Sequence, residues 1–245
     1  MTDAQLTGGD SQLKAFIDVC HLYGVAVLAD VVYNHAGGDL DSQSLDYLDF
    51  PANPDAGNSL YFSAAGVAGG RIFAYDRPEV ESFLIDNARM FLDEYHADGF
   101  RFDEVTVIDD NGGQRFCQDL TGTLRYRQPS APLIAEFWRA PSYAVAPPPG
   151  GLGFDLCYPD VLRRGPFGRC CPRPRRGPGA NVHMDGLRSG LERPWGVLFA
   201  WQVYNSIEDH DLVLDMHHQS AQPPEALTCR VSVNLGRRAK IRQTQ

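Results

Sequence analysis

Acidic side chains follow short apolar stretches at two places in the middle of the chain. Asp103 ends the stretch GFRFD, and Glu136 follows three apolar residues in PLIAEFW. Two carboxyl groups in such surroundings can be held at different pKa values, so that one is ionised and the other protonated. This is the division that cleavage of a glycosidic bond by paired carboxyl groups requires. Asp103 and Glu136 are therefore the first candidate catalytic pair.

Arg101 lies two residues before Asp103 in GFRFD. Side chains two apart in a strand share a face, so the guanidinium group would keep the Asp103 carboxylate charged and oriented. The alternative is a structural Arg–Asp pair, because ion-pair networks also perturb pKa values. The stretch by itself leaves both interpretations open.

Two histidines lie in similar positions near acids. His35 ends the motif DVVYNH, and His210 precedes Asp211 in SIEDHD. A single histidine is commonly a structural hydrogen-bonding group, whereas two at equivalent strand ends could hold substrate hydroxyls. A metal phosphohydrolase site is a further alternative, because His217 and His218 follow. The helical spacing of the additional ligands that such a site needs is missing from the sequence.

The elements that would position these residues alternate between helix and strand. Helices are predicted from Asp10, from Pro78 and over roughly 112–126. Strands are predicted at VAVLADVV (25–32), GFRFD (99–103), PLIAEFW (132–138), GFDLCY (153–158) and FAWQVYNSI (199–207). The alternation predicts parallel βαβ units, whose sites lie at the carboxyl ends of the strands. The continuous apolar run 25–32 predicts a strand buried on both faces. Residues 36–75 predict a long loop or a small subdomain.

Composition excludes some function classes. Residues 1–162 hold 24 acids and 9 Lys/Arg, a balance of −15, whereas residues 163–245 hold 7 and 13, a balance of +6. An acidic body argues against nucleic acid as a partner. No apolar run reaches the roughly 18 residues of a membrane span, and the first residues do not resemble a secretory signal. Six scattered cysteines without a CxxC pair favour reduced thiols and a cytoplasmic protein.

Four motifs in order carry a resemblance to a known family. DVVYNH, GFRFD, AE (135–136) and HD (210–211) resemble the four signature regions of glycoside hydrolase family 13, the α-amylase family. The similarity spans roughly 12–162 and 182–215, and DGFRFDEVT looks most like glucan branching enzymes. The resemblance implies a (β/α)8 TIM barrel that acts on α-1,4-glucosidic bonds through a covalent glycosyl-enzyme.

The resemblance also implies a role for each motif residue. Asp103 would be the nucleophile, Glu136 the proton donor and acceptor, and Asp211 would bind hydroxyls of the reacting sugar and stabilise the transition state. The substrate-binding residues would be Tyr33, His35, Arg101 and His210. Some family members bind calcium near the position of Asn34, and no other cofactor is implied. The partner would be an α-glucan such as starch, glycogen or a maltooligosaccharide, with no nucleic acid and no membrane.

The sequence departs from a whole barrel. DVVYNH belongs to the third barrel strand, yet it begins at residue 30, and two βα units do not fit into the residues before it. HD belongs to the seventh strand, and no eighth unit follows. Residues 1–215 therefore predict an incomplete barrel in which strands three to seven are recognisable and strands one, two and eight are missing.

Two basic segments stand apart from the barrel pattern. The stretch 163–179 holds six Arg, four Pro, four Gly and two Cys, in a chain with 20 Arg and 2 Lys. Such a composition indicates either an out-of-frame insert over 163–181 or a genuine basic loop. Poor order is predicted for this insert and for the basic tail 216–245.

The function expected from all these features is a retaining α-glucan-active glycosidase or transglycosidase, with 1,4-α-glucan branching as the favoured subtype. Hydrolysis of the α-amylase type is the alternative within the same class. A catalytically inert barrel fragment that at most binds glucan is the alternative from another class, because barrel strands are missing.

Overall fold

The structure of the 245-residue chain, a computed structural model, describes residues 9–36, 49, 59–158, 185, 188 and 192–203. Its helices are α1 (Asp10–Leu22), α2 (Pro78–Asp93), α3 (Val105–Asp110), α4 (Gln114–Arg127) and α5 (Pro141–Val145). Its strands are β1 (Leu28–Val31), β2 (His35–Ala36), β3 (Phe62–Val67), β4 (Gly70–Phe73), β5 (Gly99–Phe102), β6 (Leu133–Glu136) and β7 (Leu156–Tyr158). Among these helices none is long and apolar enough to cross a membrane.

Four of the strands form one parallel sheet in the order β1-β5-β6-β7. Ala29 pairs with Phe100, Phe100 with Leu133, and Ala135 with Cys157. Val203 continues the sheet beyond β7 through a parallel bridge to Cys157. Helices connect these strands, so the predicted parallel βαβ arrangement is confirmed.

A second, antiparallel sheet has the order β2-β4-β3, and its strands β3 and β4 lie within the 36–75 segment. Gly70 lies where the three strands crowd together, and a Cβ atom added there would be 2.0 Å from the Ala36 carbonyl oxygen. Only glycine fits this approach. Residues 37–48, 50 and 51–58 lie outside the described part of the chain.

The core lies between the parallel sheet and its helices. Phe100 and Phe102 point from β5 into the core, where both are almost completely buried. The amphipathic helix α2 buries Val80, Leu84, Ala88 and Leu92, as its apolar spacing predicts. Gly99 begins β5 at a point where a Cβ atom would be 2.5 Å from the Pro132 carbonyl oxygen.

Two sequence predictions about strands are wrong in part. The run 25–32 is not buried on both faces, because Val25, Leu28 and Val32 are 53, 41 and 49% exposed. Within the described residues its strand β1 pairs only with β5 and therefore forms a sheet edge. The stretch FAWQVYNSI does not begin as a strand: residues 200–202 form a 3-10 turn, and 204–207 lie outside the described residues. The 163–181 insert and the 216–245 tail also lie outside them.

Candidate active site

A single guanidinium group joins three carboxyl groups at the carboxyl ends of β1, β5 and β6. Arg101 Nη1 donates to Asp103 Oδ1 at 2.6 Å and to Asp30 Oδ1 at 2.8 Å. Its Nη2 donates to Glu136 Oε2 at 2.6 Å. A guanidinium group is small and planar, so carboxyl groups bonded to its two terminal nitrogens must lie near each other. The structure thus brings together Arg101, Asp103 and Glu136, as the motifs predicted.

The pleat of β5 explains why these side chains face the site. Successive strand residues point to opposite faces, and Phe100 and Phe102 occupy the core face. Arg101 therefore points away from the core, and Asp103 follows on the same side. Parallel pairing of Asp30 with Arg101 brings the third carboxyl group alongside. The alternation of apolar and charged residues in GFRFD thus presents the charges to one site.

Arg101 is a permanent cation in this cluster. Burial opposes its charge, but the hydrogen bond to Asp30 and the charges of Glu136, Asp30 and Asp103 outweigh that effect and raise the pKa of Arg101 above its usual value. The guanidinium group is therefore charged at neutral pH and binds the surrounding carboxyl groups.

Glu136 has the properties of a proton donor near neutral pH. It is 2% exposed, and burial raises its pKa to about 7, against the opposing hydrogen bond from the Glu104 amide and the charge of Arg101. The negative charges of Asp103 and Glu104 raise the pKa further. Both N–H donors, Arg101 Nη2 and Glu104 N at 2.9 Å, bind Oε2. The proton of the neutral acid is therefore carried by Oε1.

Asp103 is held at both oxygens. Arg101 donates to Oδ1, and the buried Asn34 donates from Nδ2 to Oδ2 at 2.9 Å. The same Asn34 nitrogen also reaches the Asp103 carbonyl oxygen at 2.9 Å. Each carboxylate oxygen can accept more than one hydrogen bond. Asp103 is thus oriented while it retains lone pairs for chemistry.

His35 lies beside this cluster, and its position bears on the calcium hypothesis. Its Nδ1 is in hydrogen-bonding contact with Asn34 Oδ1, so the side-chain oxygen of Asn34 faces an imidazole ring. Within the described residues, no group of three or more His, Cys, Asp or Glu side chains could hold a metal ion. Among the described residues, Asn34 is therefore not accompanied by a set of acidic calcium ligands.

Tyr33 is not part of the cluster. It is 4% exposed, its ring packs against Phe102 with centroids 5.8 Å apart, and its hydroxyl donates to Asn87 Oδ1 at 2.7 Å. The side chain thus ties the end of β1 to α2, and the expected substrate-binding role of Tyr33 stays a prediction. His210 and Asp211 lie outside the described residues.

Sequence analysis gave no role to three site residues. Asp30 sits on β1 and shares Arg101 with Asp103; its place near the end of a strand, like that of Asp103, is the signal that indicates it. Glu104 adopts a left-handed backbone conformation, φ 41°, that no pattern in the sequence predicts. Trp138, two residues after Glu136, donates from its indole Nε1 to Glu104 Oε1 at 2.9 Å, a contact that only the folded chain reveals.

Comparison with known proteins finds similarity to enzymes of α-glucan metabolism. The chain is 39% identical over 106 residues to a 1,4-alpha-glucan-branching enzyme of Dictyostelium discoideum. The matched stretch covers 41% of this chain and 15% of that protein. It is 37% identical over 116 residues to a malto-oligosyltrehalose trehalohydrolase of Arthrobacter ramosus, over 46% of the chain and 18% of that protein. No protein-family profile matches.

A solved structure shares the fold. A Salmonella typhimurium protein assigned as an α-amylase superposes with a TM-score of 0.52 and 25% identity, over 67% of this chain and 27% of that one. The predicted α-amylase-type (β/α)8 barrel, incomplete in this chain, is thereby confirmed. The chain spans less than a fifth of the length of the curated relatives described here.

Proposed function

We propose that this chain is a member of the α-amylase family, glycoside hydrolase family 13, and that its cluster is the core of a retaining site for α-1,4-glucosidic bonds. The observation that carries the proposal is the shared guanidinium group, which holds an oriented carboxylate, Asp103, next to a buried acid, Glu136. Retaining enzymes need their two carboxyl groups only about 5–5.5 Å apart. Attachment of both groups to Arg101 supports such a short separation.

In the first step Asp103 attacks the anomeric carbon of the sugar and forms a C–O bond to it. The glycosidic bond breaks, its electron pair goes to the leaving oxygen, and that oxygen takes the proton from Glu136. The pKa of about 7 supports this role, because Glu136 keeps its proton at neutral pH. Arg101 stabilises the carboxylate that remains on Glu136 after the transfer.

In the second step an incoming hydroxyl group gives its proton to Glu136 and attacks the same anomeric carbon. The bond to Asp103 breaks, and the Asp103 carboxylate is regenerated with its donors Arg101 and Asn34 already in place. Because the site is built before reaction, little reorganisation is needed in either step. Water as the incoming group gives hydrolysis, and a sugar hydroxyl gives transfer.

The remaining substrate contacts are assigned by the motifs. His35 and His210 would contact sugar hydroxyls, and Asp211 would bind the reacting sugar and stabilise positive charge at its anomeric carbon in the transition state. His35 already lies next to Asn34 at the edge of the cluster. The substrate class is an α-glucan, such as glycogen, starch or a maltooligosaccharide.

Branching transfer is the favoured subtype because branching enzymes from several organisms match the chain, with 36–39% identity among those described by the comparison. Hydrolysis of the α-amylase type is the second candidate, supported by the structural likeness to the Salmonella typhimurium protein. A cytoplasmic location remains a prediction from the cysteine pattern; Cys20, Cys117 and Cys157 are free thiols.

Amylose stained with iodine tests the proposal. Incubation with the purified chain should remove the blue colour without releasing reducing ends if branching occurs, and should release reducing ends if hydrolysis occurs. The matched control is Asp103→Asn, which should leave the stain unchanged. A folded chain that neither bleaches the stain nor cleaves an activated glucosyl fluoride would contradict the proposal and favour an inert barrel fragment.

A further inference from the structure

Glu104, the residue after the nucleophile candidate, is in contact with Glu136 through its backbone. Its N–H donates to Glu136 Oε2 at 2.9 Å. This direction of the N–H depends on the left-handed conformation of Glu104, φ 41°. Residues other than glycine rarely adopt that conformation, because it brings the Cβ atom too close to the following carbonyl oxygen. A glutamate in it therefore needs an explanation.

The side chain of Glu104 supplies a contact that holds this conformation. Trp138 Nε1 donates to Glu104 Oε1 at 2.9 Å. Trp138 is in turn fixed by its backbone N–H, which donates to Thr106 Oγ1 at 2.8 Å, and by packing of its ring against Tyr158 at 5.8 Å. The indole thus clamps the Glu104 side chain from the end of β6, the strand that carries Glu136.

We propose that Glu104 is a positioning residue: clamped by Trp138, it directs its amide at Oε2 of Glu136 and so leaves Oε1 as the atom that transfers the proton. The inference rests on the proposed function, since it concerns how the same acid is aimed. The hydrogen bond from the Glu104 amide fixes only one of the two carboxyl oxygens of Glu136, Oε2. Arg101 at the same oxygen completes the restraint.

The groups that face Glu136 act on its proton in opposite senses. Arg101 and the Glu104 amide favour the ionised form, whereas burial and the charges of Asp103 and Glu104 favour the neutral one. Asp30 acts indirectly, through its bond to Arg101. Because the amide donates to whichever form of Glu136 is present, its own resonance must report the protonation of that acid.

The kinetic test compares two substrates and four variants. An activated glucosyl fluoride needs little acid assistance, whereas a glucan needs a proton on its leaving oxygen. Glu104→Leu and Trp138→Phe should each lower kcat on amylose roughly tenfold while the rate on the fluoride stays within about twofold. Glu104→Gln keeps an oxygen acceptor for the indole and should restore most of the lost rate. The double variant Glu104→Leu/Trp138→Phe should be no worse than either single change.

Equal loss on both substrates would show a merely structural role and overturn the inference, as would an unchanged rate on amylose. Glu79→Gln, an exposed change on α2, is the matched control and should alter neither rate.

If the chain is inactive on both substrates, the proposed function is contradicted, but the inference about Glu104 can still be tested. The test is a pH titration of the Glu104 backbone amide by NMR. The ¹H–¹⁵N resonance of Glu104 should shift with pH around a midpoint near the Glu136 pKa of about 7. The shift should disappear in Glu136→Gln and persist in Glu79→Gln. A Glu104 resonance without that titration would overturn the inference.

Discussion

At the scale of single residues, the site depends on one arginine that serves three acids. Arg101 has a side chain that is 17% exposed and contacts carboxyl groups whose exposure falls from Asp30 at 58%, through Asp103 at 23%, to Glu136 at 3%. This gradient supports the proposed division of roles between Asp103 and Glu136. The most buried carboxyl group resists ionisation, while a more solvated one that accepts bonds from Arg101 and Asn34 is available as the nucleophile.

Asp103→Asn removes the nucleophilic charge and keeps the shape of the side chain. In an active chain we expect kcat on amylose and on glucosyl fluoride to fall roughly a thousandfold or more. The free energy of unfolding should change by less than about 1 kcal/mol, or rise, because relief of crowded charge often stabilises a scaffold. Steady-state kinetics and urea unfolding provide the measurement. Asp86→Asn on the exposed face of α2 is the control, and an active Asp103→Asn variant would show that the nucleophile is another residue.

Glu136 should make the stability of the chain depend on pH. Its pKa is about 7 in the folded chain and about 4.3 in an unfolded one. Between these values the folded state keeps a proton that the unfolded state has released, so the contribution of this group to stability falls as the pH rises through that window. Glu136→Gln should therefore gain stability relative to the parent between pH 5 and pH 8. Urea unfolding at both pH values measures the difference, and an identical pH dependence of parent and variant would refute the raised pKa.

At the scale of elements, the site is built at the ends of parallel strands whose other face forms the core. Phe102 shows the connection, because its ring contacts Tyr33 and Phe154 at 5.8 and 5.5 Å while its neighbours on either side carry the charges of the site. The segment after β1 is further held by Tyr75, whose hydroxyl donates to the carbonyl oxygens of Tyr33 and Asn34. Asn34 is thereby positioned to reach Asp103.

Tyr33→Phe tests whether this tyrosine serves the fold or the substrate. The change removes the hydrogen bond to Asn87, so we expect a loss of about 1 kcal/mol in the free energy of unfolding. KM for a maltooligosaccharide should stay within about twofold, because the hydroxyl faces α2. Tyr126→Phe, at a side chain that is 91% exposed, is the control. A marked rise in KM without loss of stability would support the substrate-binding role.

At the scale of the whole molecule, the described part of the barrel has apolar surface at its edge. Helix α1 buries only Ile17, whereas Phe16, Val19 and Tyr23 are 57, 49 and 82% exposed at helical spacing. Adjacent β1 is the sheet edge within the described residues. Exposed apolar patches next to a strand edge favour association.

The double change Phe16→Lys/Tyr23→Lys should reduce self-association of the chain. Phe16 lies on α1 and Tyr23 directly follows its last residue, and two added charges oppose the burial of this exposed apolar surface against a second molecule. Sedimentation velocity over a range of concentrations should show a smaller rise in sedimentation coefficient for the variant than for the parent. Tyr126→Lys is the control for adding a charge at an isolated exposed aromatic. Equal association of all three proteins would show that α1 is not the surface responsible.

The sequence alone determined the local chemistry and the strand–helix alternation. Apolar and charged residues alternate in GFRFD, and this alternation predicts which side of the strand faces the core. The helical spacing of apolar residues in 78–95 predicts α2. Both depend on periodicities that are local to the chain. The order of the four motifs then carried the resemblance to the α-amylase family, with Asp103 and Glu136 each following an apolar strand.

Only the tertiary structure decided which residues share a contact across strands. Asp30 is 71 positions from Arg101, Trp138 is 34 positions from Glu104, and Tyr33 turns to Asn87 instead of the site. The apolar run predicted that β1 is buried, but the strand is partly exposed. Burial of a strand depends on which elements pack beside it, and the run does not encode that. Such pairings arise from sheet register and from the backbone conformation of single residues such as Glu104, and these are properties of the folded chain that no local pattern encodes.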